Sequence, residues 1–203
     1  MVNRKKISIV GAGRVGSTAA LWCFVKELGD VVLWNRTAGV AQGIALDMME
    51  AGPLFGSDAD ITGTNDFRAT KDSDVVVIAA GGQRAEGMSR DDLLLQNGKI
   101  VHDVTKNIVK YNEGAVVVVV TNPLDAMVYV AKHAGNLAKN KVVGMAGILD
   151  SSRFKSFIAK ELKVSVRDVN ALVLGSHGDE MIPLPAHTSV NGIPLKELLS
   201  QNV

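Results

Sequence analysis

The chain has 203 residues, 47% of them apolar, with 22 Lys and Arg set against 21 Asp and Glu for a net charge of +1. That length suits one ordinary domain, or a complete domain followed by part of a second. The charge balance, with no basic run longer than Arg4-Lys5-Lys6, excludes a surface that tracks a phosphate backbone, so nucleic acid is not an expected partner. The only cysteine, Cys23, excludes an internal disulfide and a cysteine metal cluster. Set among Leu21, Trp22 and Phe24, it reads as a buried thiol in a reducing, cytoplasmic setting. The apolar segment before Gly11 is too short for a signal peptide, and the most apolar stretch, Ala115 to Val120, is far short of a membrane span, so no membrane partner is expected.

In chain order, Lys6 to Val10 reads as a strand, Val15 to Leu28 as a helix, Val31 to Trp34 as a second strand and Val40 to Glu50 as a second helix. Asp60 to Thr64, Val75 to Ala80 and Val116 to Val120 continue the strands, with a long helix from Asp91 to Tyr111 between the last two. A helix from Leu124 to Ala134 and a short strand from Val142 to Gly144 follow. The strands are β-branched and apolar on both faces, the pattern of a parallel sheet covered by helices on each side. Such a sheet takes its ligands beyond the carboxyl ends of its strands, which directs attention to the residues after Val10, Trp34, Ala80 and Val120. From Asp150 the texture changes to a helix of mixed charge, a strand from Val169 to Leu174 and a turn-rich segment through Gly192, read as the start of a second domain.

The stretch ISIVGAGRVGSTAAL sets Gly11, Gly13 and Gly16 between the first strand and the first helix, with Ala12, Arg14 and Val15 among them. Gly11 permits a tight turn, Gly13 lets backbone approach a pyrophosphate, and Gly16 lets the helix pack against the strand. The helix N-terminus adds unpaired N–H groups and the positive end of its dipole. The expected fold is therefore α/β, a doubly wound parallel Rossmann sheet followed by the beginning of an α+β domain. The acid that holds the adenosine ribose, about twenty residues further on in this motif, is replaced by Asn35, followed by Arg36. A missing carboxylate beside a guanidinium suits a 2′-phosphate, while Asn35 can equally hydrogen-bond the ribose hydroxyls with Arg36 left in solvent. NAD and NADP both stand open as cofactors.

The other unusual polar residues sit where ligands are expected. AAGGQRAEGMSRDDLL carries Arg84 and Arg90, VVTNPLDAM carries Asn122, and GILDSSRF sets Asp150 and Arg153 three residues apart, on one face if helical. ALVLGSHGDEM presents His177 directly after an apolar run. Solvated loop arginines and a weak surface ion pair are the ordinary readings of these residues one at a time. Together they describe a site for a small dianion with one ionisable hydroxyl. His102, His133 and His187 read as surface or structural residues, and no metal is called for.

The motifs GAGRVGS, GMSRDDLLLQN, VVTNPLDAMVYVA, LDSSRF and GSHGDEMIPLP together make the chain resemble malate dehydrogenases of the lactate-dehydrogenase-like type along essentially its whole length. The resemblance implies a dinucleotide-binding domain over residues 1–145 and the N-terminal part of a substrate domain over 146–203. It implies that His177 exchanges the proton and is oriented by Asp150, and that Arg153 grips the carboxylate next to the reacting carbon. Arg90 polarises the carbonyl, Asn122 binds the reacting oxygen, and Asn97, Val120 and Thr121 help to hold the cofactor. A cis peptide before Pro123 is expected. Arg84 stands where lactate dehydrogenases carry glutamine, and an arginine there pairs with a second carboxylate, favouring a small dicarboxylate such as malate or oxaloacetate.

Relatives run on beyond Val203 with long helices that complete the second domain and help to form a homodimer or homotetramer. Without them, apolar surface around Ile158, Leu162 and Leu195 is expected to be exposed. Two other readings stay open: an inactive dinucleotide-binding module or fragment, and a dehydrogenase for another 2-hydroxy acid such as lactate.

Overall fold

Val and Ile branch at Cβ, which restricts χ1 and suits a pleated, packed surface, and these residues form the centre of the sheet. A computed structural model describes residues 4–83 and 86–199, Arg90 through its backbone alone. The chain divides into two compact units, residues 1–144 and 145–203.

In the first unit β1 (Lys6–Val10), β2 (Asp30–Trp34), β3 (Ile61–Thr64), β4 (Val75–Ile78), β5 (Val116–Val119) and β6 (Val142–Gly144) form one sheet in the order β3-β2-β1-β4-β5-β6. Every neighbouring pair is parallel, with Ile9 of β1 opposite Leu33 on one side and Val77 on the other. Helices α1 (Arg14–Val25), α2 (Val40–Phe55), α3 (Arg90–Tyr111) and α4 (Leu124–Ala134) cover it. Strands progress outward from β1 to β3 and then from β4 to β6, so the direction reverses between β1 and β4, the switch point where such sheets bind ligands. Ile9, Phe24, Val31, Leu33, Ala41 and Ala45 pack in one cluster, and Ile78, Val101, Ile108, Val119 and Met127 are also buried.

Strands β2, β3, β4 and β5 shift by one or two residues at one end from the sequence reading, and three helix ends move for identifiable reasons. Helix α1 stops at Val25, not Leu28, because Glu27 turns left-handed at φ 49° and the Leu28 N–H returns to the Cys23 carbonyl. The Glu27 carboxylate then accepts hydrogen bonds from Arg4 and from the Asp58 N–H. Helix α2 runs past Glu50 to Phe55, with Pro53 inside it. The proline ring tolerates helical φ, and the hydrogen bond its missing N–H forfeits is the one to the carbonyl of Met49, an exposed residue. Helix α3 begins at Arg90 behind Ser89, whose Oγ accepts the Asp92 N–H while the Asp92 carboxylate accepts the Ser89 N–H. The Ser89 hydroxyl, which donates to the Asp92 carboxylate, and the Ser89 N–H beside it hold that carboxyl below its ordinary pKa.

In the second unit α5 (Gly147–Leu162) packs beside short antiparallel strands. The single strand expected from Val169 to Leu174 is two: β7 (Val169–Asn170) and β8 (Val173–Leu174). They separate because their partners do. β9 (Ile182–Pro183) pairs with β8, whereas β10 (Ser189–Val190) lies between β7 and β11 (Ile193–Pro194). A short α6 (Leu195–Leu198) follows.

The expected exposure of Ile158, Leu162 and Leu195 is not found. Ile158 and Leu195 are 5% and 4% exposed, and Leu162 is half-buried against them. Phe154, Ile158 and Leu162 recur every four residues on one face of α5 and close on Val169, Val190 and Leu195, which gives this unit its own core. The apolar residues left exposed on α5 are Ile148 and Phe157. Among the described residues no helix is long and apolar enough to cross a membrane.

Ile158→Ala should therefore lower stability by about 2–5 kcal/mol in denaturant unfolding, while Phe157→Ala, 71% exposed, should stay within about 0.5 kcal/mol. Equal costs for the two would refute this assignment of the core.

Candidate active site

Between the end of β1 and the start of α1 the chain reverses within a few residues, and glycine makes that possible. Gly11 sits at φ 113°, its N–H donates to the Trp34 carbonyl at 2.9 Å, and a Cβ there would meet the Ala80 nitrogen at 2.6 Å. A Cβ on Gly16 would fall 1.8 Å from the Gly11 oxygen, so helix and turn are in direct contact. Gly13, the N-cap of α1, is the opposite case: a Cβ there meets nothing within 4 Å. The first amides of α1 therefore open onto space that no side chain fills.

That space is a cavity of about 480 Å³ whose lining includes Gly11, Ala12, Gly13, Trp34, Asn35, Arg36 and Phe67. A second, of about 360 Å³, shares Gly13, Gly81 and Gly82 and continues past Arg14, Val15, Asn97, Val120, Thr121 and Asn122. Together they lie over the carboxyl ends of β1, β2, β4 and β5. Trp34 stacks on Phe67 with ring centroids 4.1 Å apart, and its indole N–H is buried with no hydrogen-bond partner among the described residues. A buried donor without an acceptor is costly, and this one sits in the wall of the larger cavity. A turn bare of side chains, a helix N-terminus and an orphaned donor all fit a dinucleotide.

At the tip of β2, Asn35 makes one long contact, Nδ2 to the Thr37 carbonyl at 3.5 Å, and Arg36 is exposed. Asn97 and Thr121 are buried and bonded to backbone at the strand tips, while Asn122 is exposed at the rim and its peptide bond to Pro123 is cis. Arg90 opens α3, and Arg84 lies outside the described residues.

The second unit brings Asp150, Arg153 and His177 together. Asp150 lies in the first turn of α5, where the helix dipole favours a negative charge, and its side chain is 6% exposed. One carboxylate oxygen is 2.9 Å from His177 Nδ1 and the other accepts from Arg153 Nη1 at 3.3 Å. A carboxylate can only accept, so Nδ1 carries the hydrogen and Nε2 lies across the ring from Asp150. The loop that presents His177 is pinned at its start. Ser151 Oγ accepts the Val173 N–H at 3.0 Å, tying α5 to β8. Gly175, at φ 96°, passes so close to Glu180 that a Cβ would lie 2.3 Å from its carbonyl oxygen, which lets β9 fold back on β8.

His102, His133 and His187 are exposed, the first beside Asp103 and the second against the Tyr129 ring. Cys23 is half-buried, and burial pushes its thiol pKa up. Sequence reasoning passed over Trp34, Phe67 and Ser151. Adjacency could have found two of them, Trp34 beside Asn35 and Ser151 beside Asp150, whereas Phe67 carries no local signal.

The switch point, glycine turn and bare helix N-terminus define a Rossmann-type dinucleotide-binding protein. Residues 5–144 match the lactate/malate dehydrogenase NAD binding domain, and residues 148–203 match the lactate/malate dehydrogenase alpha/beta C-terminal domain. The chain belongs to the lactate/malate dehydrogenase family. It is 55% identical over 198 residues to a malate dehydrogenase of Desulforudis audaxviator and 53% identical over 198 residues to one of Heliobacterium modesticaldum, covering 98% of this chain in each case. It spans 64% of the length of those curated relatives. Among solved structures it is similar to the apo malate dehydrogenase from Picrophilus torridus, at TM-score 0.95 and 44% identity over 98% of this chain and 63% of that one. It is also similar to the lactate dehydrogenase from Cryptosporidium parvum complexed with lactic acid and nicotinamide adenine dinucleotide, at TM-score 0.92 and 41% identity over 100% of this chain and 64% of that one.

Because Gly13 faces open space, Gly13→Val should fold with a stability loss of no more than about 1 kcal/mol yet abolish NADH binding in titration calorimetry. Undiminished binding would show that the dinucleotide lies elsewhere.

Proposed function

We propose that this chain carries the catalytic groups of a malate dehydrogenase, interconverting malate and oxaloacetate with a nicotinamide dinucleotide. The observation that carries the proposal is His177 held through Nδ1 by a buried Asp150 that also accepts from Arg153. Membership of the family and relatives described as malate dehydrogenases support it.

Residues 1–144 act as the dinucleotide-binding part and residues 145–203 as part of the substrate-binding part. When bound, the nicotinamide accepts or supplies the hydride. Gly11, Gly13 and the first amides of α1 hold the pyrophosphate, with Ala12, Arg14, Val15 and Gly16 completing the turn. Val120, Thr121 and Asn122 form the wall on the nicotinamide side. In malate oxidation His177 Nε2 takes the hydroxyl proton, and in oxaloacetate reduction it returns that proton to the developing alkoxide. Asp150 fixes the ring and stabilises its protonated form. Arg153, whose side chain is more than half exposed, retains donors for a two-pronged contact with the carboxylate beside the reacting carbon. Arg90 and Asn122 place charge and a hydrogen bond on the reacting oxygen.

The adenosine end takes either cofactor. No carboxylate stands at position 35 to repel a 2′-phosphate, and Arg36 lines the same cavity. Specificity constants for NADH and NADPH are accordingly expected to agree within about tenfold, a difference of about 1.4 kcal/mol.

The alternative is a chain that binds the dinucleotide without turnover. Oxaloacetate reduction followed at the nicotinamide absorbance separates the two, since turnover supports the enzyme and binding alone supports the module. In an active chain His177→Asn should cut kcat by about 10²- to 10⁴-fold and leave cofactor affinity unchanged. A smaller loss removes the histidine from the mechanism.

Arg84 decides between malate and another 2-hydroxy acid. A charge-assisted pair with the distal carboxylate contributes about 1.5–3 kcal/mol, or roughly one to two decades of preference for oxaloacetate over pyruvate. Arg84→Gln should erase that margin in competition kinetics, and an unaltered preference would overturn the assignment.

A further inference from the structure

β8 is two residues long and, among the described residues, has a strand on one edge only, β9. In an antiparallel pair the backbone groups of successive residues turn alternately toward the partner strand and away from it. The Leu184 N–H donates to the Leu172 carbonyl at 3.0 Å, so Leu172 faces β9 and Val173, next in line, faces away. That open side of Val173 meets the first turn of α5. There Ser151 Oγ accepts the Val173 N–H at 3.0 Å, and a Cβ on Gly147 would stand 3.4 Å from the Val173 oxygen. Ser151 and Val173 are 8% and 6% exposed, so loss of that hydroxyl would leave a buried donor without an acceptor.

Ser151 follows Asp150 in the chain, and consecutive helix residues point about 100° apart. The first turn of α5 therefore holds two different partners: Ser151 the backbone of Val173, and Asp150 the Nδ1 of His177 at 2.9 Å. Only Leu174, Gly175 and Ser176 separate these two attachment points. The loop they lead into is closed on itself. Ser176 Oγ donates to the Glu180 carboxylate at 3.2 Å, the Gly178 N–H to the Ser176 carbonyl at 3.1 Å and the Met181 N–H to the Gly178 carbonyl at 3.2 Å. A loop cross-bonded in this way moves with the strand that carries it. Displacing β8 from α5 by about 1 Å would carry the imidazole along and stretch its contact with Asp150 beyond hydrogen-bonding range.

We propose that Ser151 is a positioning residue: by accepting the Val173 N–H it sets the distance of β8 from the first turn of α5, and with it the length of the hydrogen bond between Asp150 and His177. The consequence for catalysis rests on the dehydrogenase reading, while the consequence for the histidine ring stands without it. An imidazole that loses its carboxylate acceptor also loses what fixes the hydrogen on Nδ1. Misplacement of a proton-exchanging nitrogen by about 1 Å costs roughly 10²-fold in rate. The groups that hold the dinucleotide belong to the first unit, so cofactor affinity should change little.

The test compares Ser151→Ala and Ser151→Cys with the unaltered chain. Alanine removes the acceptor, whereas cysteine keeps nearly the same volume with a sulfur that accepts only weakly. Three readouts are taken: the ring-nitrogen chemical shifts of His177 by NMR at a pH where the ring is neutral, amide hydrogen exchange at Val173, and kcat for oxaloacetate reduction beside the NADH Kd. The unaltered chain should show one tautomer, hydrogen on Nδ1. Ser151→Ala should accelerate Val173 exchange, release the ring to a mixture of tautomers and lower kcat about 10²-fold, with the NADH Kd within about threefold. Ser151→Cys should move each readout the same way by less. Ile158→Val, a core truncation in the same unit, should leave tautomer and kcat unchanged; a loss there equal to that of Ser151→Ala would reduce Ser151 to a stabilising contact and overturn the proposal. Mixed tautomers in the unaltered chain would also overturn it, as would a ring and kcat undisturbed in Ser151→Ala. Should Ser151→Ala fail to fold, Ser151→Cys carries the comparison. Should the unaltered chain bind NADH without turnover, the dehydrogenase reading fails instead, and the His177 tautomer still decides whether Ser151 positions the ring.

Discussion

A parallel sheet buried on both faces admits along its middle only polar side chains that find a partner there, as Ser8 of β1 does with Ser73, and that constraint organises the first unit. β1 pairs with β2 on one side and β4 on the other, so its side chains meet helices above and below. Ile9, Val10, Leu33, Val76, Ile78 and Val119 are accordingly sealed from water. Polar chemistry is left with the strand tips. There the chain must leave the ladder with unpaired backbone groups, and those groups are what a glycine turn, a buried amide or a bound dinucleotide can satisfy.

The same constraint made much of the fold legible from composition alone. Runs such as Val75–Ile78 and Val116–Val119 can be little other than interior strands, and their order with intervening helices leaves few topologies. Element ends were less legible because distant residues decide them. Glu27 ends α1 while bonded to Arg4 and Asp58, and α2 runs through Pro53, forfeiting one bond to Met49, an exposed residue. In the second unit, β7 and β8 look like one strand in the sequence and separate because β9 and β10 draw them to different partners. The core around Ile158 was hidden for a similar reason: the residues that close over it, Val190 and Leu195, lie some thirty positions further along, and local patterning carries no record of them.

Legibility of the site followed the kind of bond involved. Asp150, Arg153 and His177 announce themselves because their chemistry is in their side chains, and the structure places them within hydrogen-bonding distance. The contacts that brace the backbone within each unit are different. Ser151 reaches the N–H of Val173, Thr121 the carbonyl of Ala80, and Asn97 the backbone of Gly82 and Asn122. A side chain bonded to backbone leaves no mark on the partner's identity, since every residue except proline offers the same two groups. Resemblance brought Asn97 to notice, but only the fold shows what it touches.

The two tryptophans stand in opposite surroundings. Trp22 is more than half exposed on α1 with the Lys26 ammonium over its ring, whereas Trp34 is enclosed against Phe67 in the wall of the larger cavity. Their emission should therefore separate without mutation, with the outer indole red-shifted and quenched by iodide and the inner one bluer and shielded. The molecule thus carries its own optical gauge, one lamp in the cavity wall and one reference in the solvent.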